Sequence, residues 1–176
     1  MTRAIVLAAA NSGAGKTTLT LGLLRALKNR GINVRAAKSG PDYIDPAFHA
    51  VACGHPSINL DAWAMTPAAI RGYATSQQGD LLIVEGAMGV LDSGADNNGS
   101  VADLARILGV PIVMVLDIAK QAQSAALSLA GLTALRPDIP IAGTILNRAG
   151  SAKHVKMAKG AIEHAGFDVF GHVQRN

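Results

Sequence analysis

Ala8-Ala9-Ala10-Asn11-Ser12-Gly13-Ala14-Gly15-Lys16-Thr17-Thr18 joins an apolar, strand-like run over residues 3–9 to a helix-like run over residues 16–28. Small residues there let successive backbone N–H groups turn inward around a polyphosphate, and the following helix presents its positive N-terminal end to the same point. Lys16 adds a point charge and Thr17 a hydroxyl suited to Mg²⁺. The stretch reads as a phosphate-binding loop, with Ser12, Gly13, Ala14, Gly15, Lys16, Thr17 and Thr18 as nucleotide contacts. Ala10 stands where the strict G-x-x-x-x-G-K-[ST] spelling has its first glycine, a departure that costs little if the turn needs no positive φ there.

Working outward, the 176 residues are 49% apolar, 16% charged and 3% aromatic, which describes one globular α/β domain with a buried sheet and excludes a disordered or fibrous chain. The longest uninterrupted apolar stretch, residues 107–116, is interrupted in character by Gly109 and Pro111 and falls well short of the ~20 residues of a membrane span. Met1-Thr2-Arg3 and the short apolar run behind it make no signal peptide, because the phosphate loop follows at once. A lone Cys53 excludes an internal disulfide and a cysteine-built metal site, so the cytoplasm is the expected compartment. Nine basic and nine acidic residues precede Lys120, and seven and three follow from it, so the net charge of +4 comes entirely from the last third. Lys153, Lys156 and Lys159 recur there as on the wet face of one helix, and with few aromatics and no long basic run nucleic acid is not expected as a partner.

Downstream of the loop, Leu19, Leu23, Leu24 and Leu27 give its helix a core stripe, and Gly31 closes it. Further strands are expected at residues 33–38, 80–85, 110–116, 140–146 and 167–173, for six in all. Helices are expected at residues 67–77 with Pro67 first, at 101–108 capped by Ser100 with Asp103, at 121–135 and at 151–165, with a short one through Phe48 and Cys53 to Gly54. Residues 56–65 read as irregular. Strands alternating with helices predict a three-layer P-loop NTPase fold, its mainly parallel sheet covered by helices on both faces, with residues 1–176 as a single unit.

Chemistry gathers at the carboxyl ends of these strands. Asp42, Asp45, Glu85, Asp92 and Asp117 all lie there, on the edge that carries the phosphate loop, as expected of a Mg²⁺–phosphate crevice. Glu85 closes the apolar run Leu81-Leu82-Ile83-Val84, where a P-loop protein keeps its Walker-B acid. The turn Gly86-Ala87-Met88-Gly89 beyond it offers backbone amides for a second anion. Lys38 reads as an anion ligand at its strand end, or else as a solvated lysine. His49 is either a substrate contact or, more ordinarily, a packing or surface residue; Cys53 is a small helix residue; and Trp63 is core or, less ordinarily, a ligand platform.

On these residues the sequence resembles the amidoligase part of the cobyrinic and hydrogenobyrinic acid a,c-diamide synthases, relatives of dethiobiotin synthetase and members of the glutamine amidotransferase family. The resemblance runs along essentially the whole chain. Its motifs are the loop at residues 12–18, Lys38-Ser39-Gly40-Pro41-Asp42-Tyr43-Ile44-Asp45-Pro46, Asn59-Leu60-Asp61-Ala62-Trp63, Val84-Glu85-Gly86-Ala87-Met88-Gly89 with Asp92, Ala122-Gln123-Ser124 and Ile145-Leu146-Asn147-Arg148. The second and fourth are far more specific than a P-loop alone.

The resemblance implies an ATP-dependent carbon–nitrogen ligase of cobalamin biosynthesis that phosphorylates the a and c acetate carboxylates of a corrin-type tetrapyrrole and lets ammonia displace the phosphate. By that analogy Thr17, Asp45 and Glu85 hold Mg²⁺, Asn147 with Arg148 serves the nucleotide, and Lys16, Asp42, Asp45, Glu85 and Asp92 are the catalytic set. Lys38, Ser39, Tyr43, Ile44, Gly86, Ala87, Met88 and Gly89 would lie toward the macrocycle or its intermediate. Family members usually continue into a glutaminase domain that releases ammonia, and nothing in these residues does so. An excised synthetase domain is the favoured explanation, ahead of a separate glutaminase chain or free ammonia. So large a ligand also leaves a homodimer open as the assembly. Two other readings stand beside this one: a dethiobiotin-synthetase-like carboxylating ligase, against which the 42–45 cluster and the Trp63 segment argue, and a partition- or maturation-type switch ATPase, many of which carry a lysine where this chain has Asn11.

Overall fold

Short apolar runs become strands when both of their faces can be covered, and the middle of this protein is built that way. In the computed structural model, which describes residues 3–175, β1 (Arg3–Ala8) lies between β4 (Leu81–Glu85) and β5 (Ile112–Asp117). Beyond β4 come β2 (Val34–Ser39) and β3 (Ile58–Leu60), and beyond β5 come β6 (Ile141–Ala149) and β7 (Val169–Gln174). The resulting order among the described residues is β3-β2-β4-β1-β5-β6-β7, with each of these pairings parallel.

Alternation along the strands divides the core in two. Val6 and Ala8 of β1, Leu82 and Val84 of β4, and Ile112, Met114 and Leu116 of β5 face the layer built with α3 (Pro67–Ser76), α4 (Val101–Leu108), α5 (Ala126–Leu135) and α6 (Ala152–His164). Leu7, Ile83 and Val113 face the other way, onto α1 (Lys16–Asn29) and α2 (Asp45–Cys53). Each fully buried Leu or Ile in these layers contributes about 1.5–3 kcal/mol relative to exposure. Cys53 is a residue of α2, as expected, and is buried in the second layer.

Local signals hold where they are strong. Ser100 and Asp103 form a reciprocal capping box on α4, Thr66 caps α3 with Pro67 at its first position, and Gly31 follows α1 at φ +78°. Lys153, Lys156 and Lys159 are exposed on α6. Three expectations need correction. The described residues form seven strands rather than six, because residues 58–60, expected to be irregular, pair in parallel with residues 37–39 at the sheet edge. A three-residue strand is too short to show alternation. The helix expected from Gln121 begins as a 3₁₀ turn at Gln123–Ala125 and becomes α-helical only at Ala126. β6 runs on to Ala149, so Asn147 and Arg148 lie on the strand instead of after it, with Asn147 in register with Asp117.

No helix among the described residues is long and apolar enough to cross a membrane. The expectation about the amino terminus falls partly on Met1 and Thr2, which with Asn176 lie outside the described residues.

Candidate nucleotide and carboxylate site

The sheet's strand order reverses around β1, so the loops leaving β1, β2, β4, β5 and β6 open onto one crevice at their carboxyl ends. The β1–α1 loop turns through Gly13 and Gly15, at φ +80° and +92°. Ala10 is not among the positive-φ residues, which explains why an alanine serves there. Gly15 is doubly constrained, because a Cβ on it would also collide with the side-chain amide of Asn147. That amide is buried and donates from Nδ2 to the carbonyl of Ala14 at 2.8 Å, tying β6 to the loop.

Lys16 is buried, and its Nζ donates to the carbonyls of Met88 at 2.5 Å and Asn11 at 3.3 Å. Burial, reinforced by the charge of Lys38, lowers its pKa. Thr17 Oγ1 donates to Glu85 Oε1 at 2.5 Å and lies 3.5 Å from Asp45 Oδ2. Hydroxyl and carboxylates therefore converge beside the loop.

Lys38 stands in the middle of this convergence. Its Nζ contacts Asp45 Oδ2, meets Glu85 Oε1 at 2.9 Å and lies 3.6 Å from Asp42 Oδ2. The lysine is thus neither solvated nor aimed at open space: it is the counter-ion of three acids. Burial works against its charge, but hydrogen bonds to Asp45 and Glu85 outweigh that and raise its pKa. Burial alone would likewise raise the fully buried Glu85 carboxyl; hydrogen bonds from His49, Thr17 and Lys38, with the charge of Lys38, instead hold it at about 2.

His49 was the least legible member of the site. It is fully buried, with Nε2 2.7 Å from Glu85 Oε2 and Nδ1 3.2 Å from Ser57 Oγ. Of the two ordinary readings, packing and surface, its burial agrees with packing. The available signal was its place four residues after Asp45, which puts both on one face of α2.

The five strand-end acids do not form a single cluster. Asp42, Asp45 and Glu85 meet at Lys38, whereas Asp117 pairs with Arg148 at 2.5 Å toward β6, and Asp92 Oδ2 accepts the amide of Gly89 at 2.7 Å. The latter bond qualifies the expectation for the 86–89 turn. Gly89 N–H is committed to Asp92 and Gly86 N–H to the carbonyl of Leu7, which leaves the amides of Ala87 and Met88 facing the anion question. Met88 takes φ +50° and turns its carbonyl to Lys16. Trp63, expected in the core, is 66% exposed, its backbone packed so closely on Gly99 that the ring rides over the 94–99 loop.

Three adjoining hollows follow the edge. A cleft of about 880 Å³ lies between Asn11, Gly15, Asp117, Lys120, Asn147 and Arg148. Next to it, about 340 Å³ is lined by the loop with Lys38, Glu85 and residues 86–88. Ala87 joins this to a largely apolar groove of about 370 Å³ formed by residues 39–44, where Tyr43 is 88% and Ile44 68% exposed. The first has room for a nucleoside, the second for phosphates, and the third for an apolar-faced substrate.

One hydroxyl and two carboxylates, all hard oxygen donors on the phosphate side, fit an ion that completes its shell with phosphate and water, as Mg²⁺ does. No group of three or more His, Cys, Asp and Glu residues suited to enclosing a metal occurs among the described residues, so the set does not form a protein-only cage.

Comparison with known proteins agrees with this architecture. A family model described as the CobQ/CobB/MinD/ParA nucleotide binding domain matches residues 5–176. Curated relatives named hydrogenobyrinate a,c-diamide synthase include those of Mesorhizobium japonicum, 46% identical over 99% of this chain and 41% of its own, and Brucella anthropi, 48% identical with the same coverage. The chain therefore spans about two fifths of the length of these relatives. Among solved structures, the hydrogenase maturation factor HypB of Archaeoglobus fulgidus superposes with a TM-score of 0.61 at 14% identity, covering 97% of this chain and 80% of that one. The cell division protein FtsY of Thermotoga maritima gives 0.60 at 16%, covering 100% and 63%. At such identities these two structures speak to the fold alone. Phosphate loop, parallel sheet and a match over residues 5–176 together make this chain a member of the CobQ/CobB/MinD/ParA nucleotide-binding domain family.

Proposed function

We propose that this chain is the ATP-dependent amidoligase unit of a corrinoid a,c-diamide synthase, acting in the cytoplasm with a glutaminase domain as its natural ammonia source. The observation that carries this reading is the adjacency of the apolar groove at residues 39–44 to the Thr17–Lys38–Asp45–Glu85 cluster, in a chain nearly half identical to hydrogenobyrinate a,c-diamide synthases.

In this reading, a substrate acetate in the groove attacks the γ-phosphorus of ATP, the bond to the bridging oxygen breaks, and ADP leaves. Ammonia then adds to the acyl phosphate carbon, expelling phosphate and a proton to give the amide. The nucleophile is a carboxylate with an ordinary pKa of about 4, so it is already ionised at neutral pH and needs no general base. The protein's task is alignment and charge neutralisation. Lys16 would exchange its Met88 and Asn11 carbonyl partners for phosphate oxygens, loop amides would cradle the polyphosphate, and Asn147 would face the base. Thr17, Asp45 and Glu85 would hold Mg²⁺, which when bound offsets phosphate charge. Lys38, no longer needed as their counter-ion, would turn to the transferring phosphoryl group. Asp42, Tyr43, Ile44 and Asp92 would set the macrocycle beside it.

The test is incubation of the chain with ATP, Mg²⁺, ammonium chloride and, separately, cobyrinic, hydrogenobyrinic and nickel-containing tetrapyrrole acids, followed by mass spectrometry. Conversion of acid to amide, supported by ammonium and not by glutamine, is expected. ATP hydrolysis indifferent to every tetrapyrrole, with nucleotide-dependent dimerisation, would replace this reading with a switch ATPase.

A further inference from the structure

His49 is a buried polar side chain to which the reaction above assigns no step. Its ring bridges two parts of the fold: Nε2 is 2.7 Å from Glu85 Oε2 on β4, and Nδ1 is 3.2 Å from the hydroxyl of Ser57, which itself lies 3.2 Å from the carbonyl of Ala36 on β2. Both His49 and Glu85 are fully buried. Water therefore cannot substitute for either bond without opening the packing between α2 and the sheet.

We propose that His49 is a positioning residue for Glu85, engaging Oε2 so that Oε1 is the oxygen turned to Thr17 and the phosphate side. A strand-end glutamate has a broad terminal torsion, and its two oxygens are chemically alike. In a dry site with one oxygen held by an imidazole, the carboxylate has a single orientation, the one in which Oε1 meets Thr17 Oγ1 at 2.5 Å and Lys38 Nζ at 2.9 Å. α2 gives the arrangement a second consequence. Its first residue, Asp45, supplies one candidate Mg²⁺ ligand directly, and one turn later His49 fixes the other through Glu85. One nine-residue helix thereby sets the spacing of both carboxylates. Partners of this kind, hydrogen-bonded to a ligand from behind, govern metal affinity more than fold. The inference rests on the reading of Glu85 as a Mg²⁺ ligand.

Its test is the Mg²⁺ dependence of binding of a fluorescent ATP analogue to the chain carrying His49→Ala, His49→Gln or Ser57→Ala. In His49→Ala the Mg²⁺ concentration that half-saturates the enhancement of binding should rise about tenfold, while affinity in EDTA changes little. His49→Gln, whose side-chain amide can still donate to Oε2, should recover most of the loss, and Ser57→Ala should shift the midpoint less and in the same direction. Should His49→Ala fail to fold, His49→Phe, which fills the space without a donor, replaces it. An unchanged Mg²⁺ midpoint in a folded His49→Ala or His49→Phe protein would overturn the proposal, as would equal losses with and without Mg²⁺ or a glutamine variant no better than alanine. A wild-type chain whose nucleotide binding ignores Mg²⁺ would sink this inference together with the proposed metal set. A Mg²⁺-dependent wild type with indifferent His49 variants would sink the inference alone.

Discussion

Lys38 and Glu85 are register partners on adjacent parallel strands, β2 and β4, and their side chains meet as a buried ion pair, Nζ to Oε1 at 2.9 Å. The backbone ladder itself thus delivers a cation to the acid that closes β4. Asp45, arriving from the first turn of α2, completes the arrangement from the other side.

Removing that cation leaves Asp42, Asp45 and Glu85 facing one another with their counter-ion gone. Breaking a buried pair from one side costs about 3–5 kcal/mol, because the remaining charge stays desolvated and unpaired. Lys38→Ala should therefore lower the thermal unfolding midpoint in EDTA, and Mg²⁺ should restore much of it, more than it stabilises the wild type. Melting curves with and without Mg²⁺ check this; an equal response of both proteins to Mg²⁺ would contradict it.

Glu85 also fixes the acid limb of stability. Its folded-state pKa of about 2 lies below the ordinary 4.5, so its contribution is complete above the unfolded value and is lost as pH falls through about 2. Over that window the loss amounts to about 3 kcal/mol. Asp42 is lowered as well, because hydrogen bonds from the amides of Ile44 and Asp45 outweigh its burial, and it adds its own loss of stability on acidification to a single curve. The difference between wild type and Glu85→Gln isolates the effect. Denaturant unfolding of both in EDTA from pH 5 to pH 2 should show the gap between them closing as the solution is acidified.

Two glycines on the same stretch of chain should respond in opposite directions. Gly15 has φ +92° and no room for a Cβ beside Asn147, so Gly15→Ala should destabilise by about 1–3 kcal/mol and abolish nucleotide binding by displacing that amide from Ala14. Gly22 is exposed in the interior of α1 with open space around it, so Gly22→Ala should stabilise by about 0.5–1 kcal/mol and leave binding intact. Chemical denaturation and nucleotide titration of the two variants check the pair.

The contrast between such positions shows which features sequence can carry. The phosphate loop, the acid that closes β4, the Ser100 cap and the Asp42–Asp45 pair are local patterns, and they were legible because spacing along the chain determines them. His49 touches Glu85 across 36 residues, through the adjacency of β2 and β4, which no periodicity encodes. The same holds for Lys38, whose role as counter-ion depends on β-sheet register. Asp117 ends β5 and Asp92 follows the turn after β4, as expected, yet the nearby Gly89 amide holds Asp92 and Arg148, from the neighbouring strand β6, holds Asp117 away from the cluster. Trp63 misled through its size: an aromatic ring suggests core, but the close approach of its backbone to Gly99 leaves the ring outside.

Asn147 offers the sharpest test of the nucleotide end. One N–H of its Nδ2 is given to the Ala14 carbonyl at 2.8 Å, which fixes the plane of the carboxamide and leaves Oδ1 and the second N–H to engage a base. Held in that orientation, Oδ1 suits the exocyclic amino group of adenine and the second N–H its N7, while Oδ1 opposes the carbonyl that guanine carries in place of the amino group. Asn147→Ala should therefore weaken ATP binding by up to about tenfold, the worth of one net hydrogen bond together with the loosened loop, while changing GTP binding less. Asn147→Asp keeps the acceptor and loses the anchor, so it should preserve the preference for adenine while lowering affinity for both nucleotides. Competition titrations with ATP and GTP on the two variants separate the roles: selectivity follows the acceptor, affinity follows the bond to Ala14, and a variant pair that loses both together would show that Asn147 acts on the loop alone.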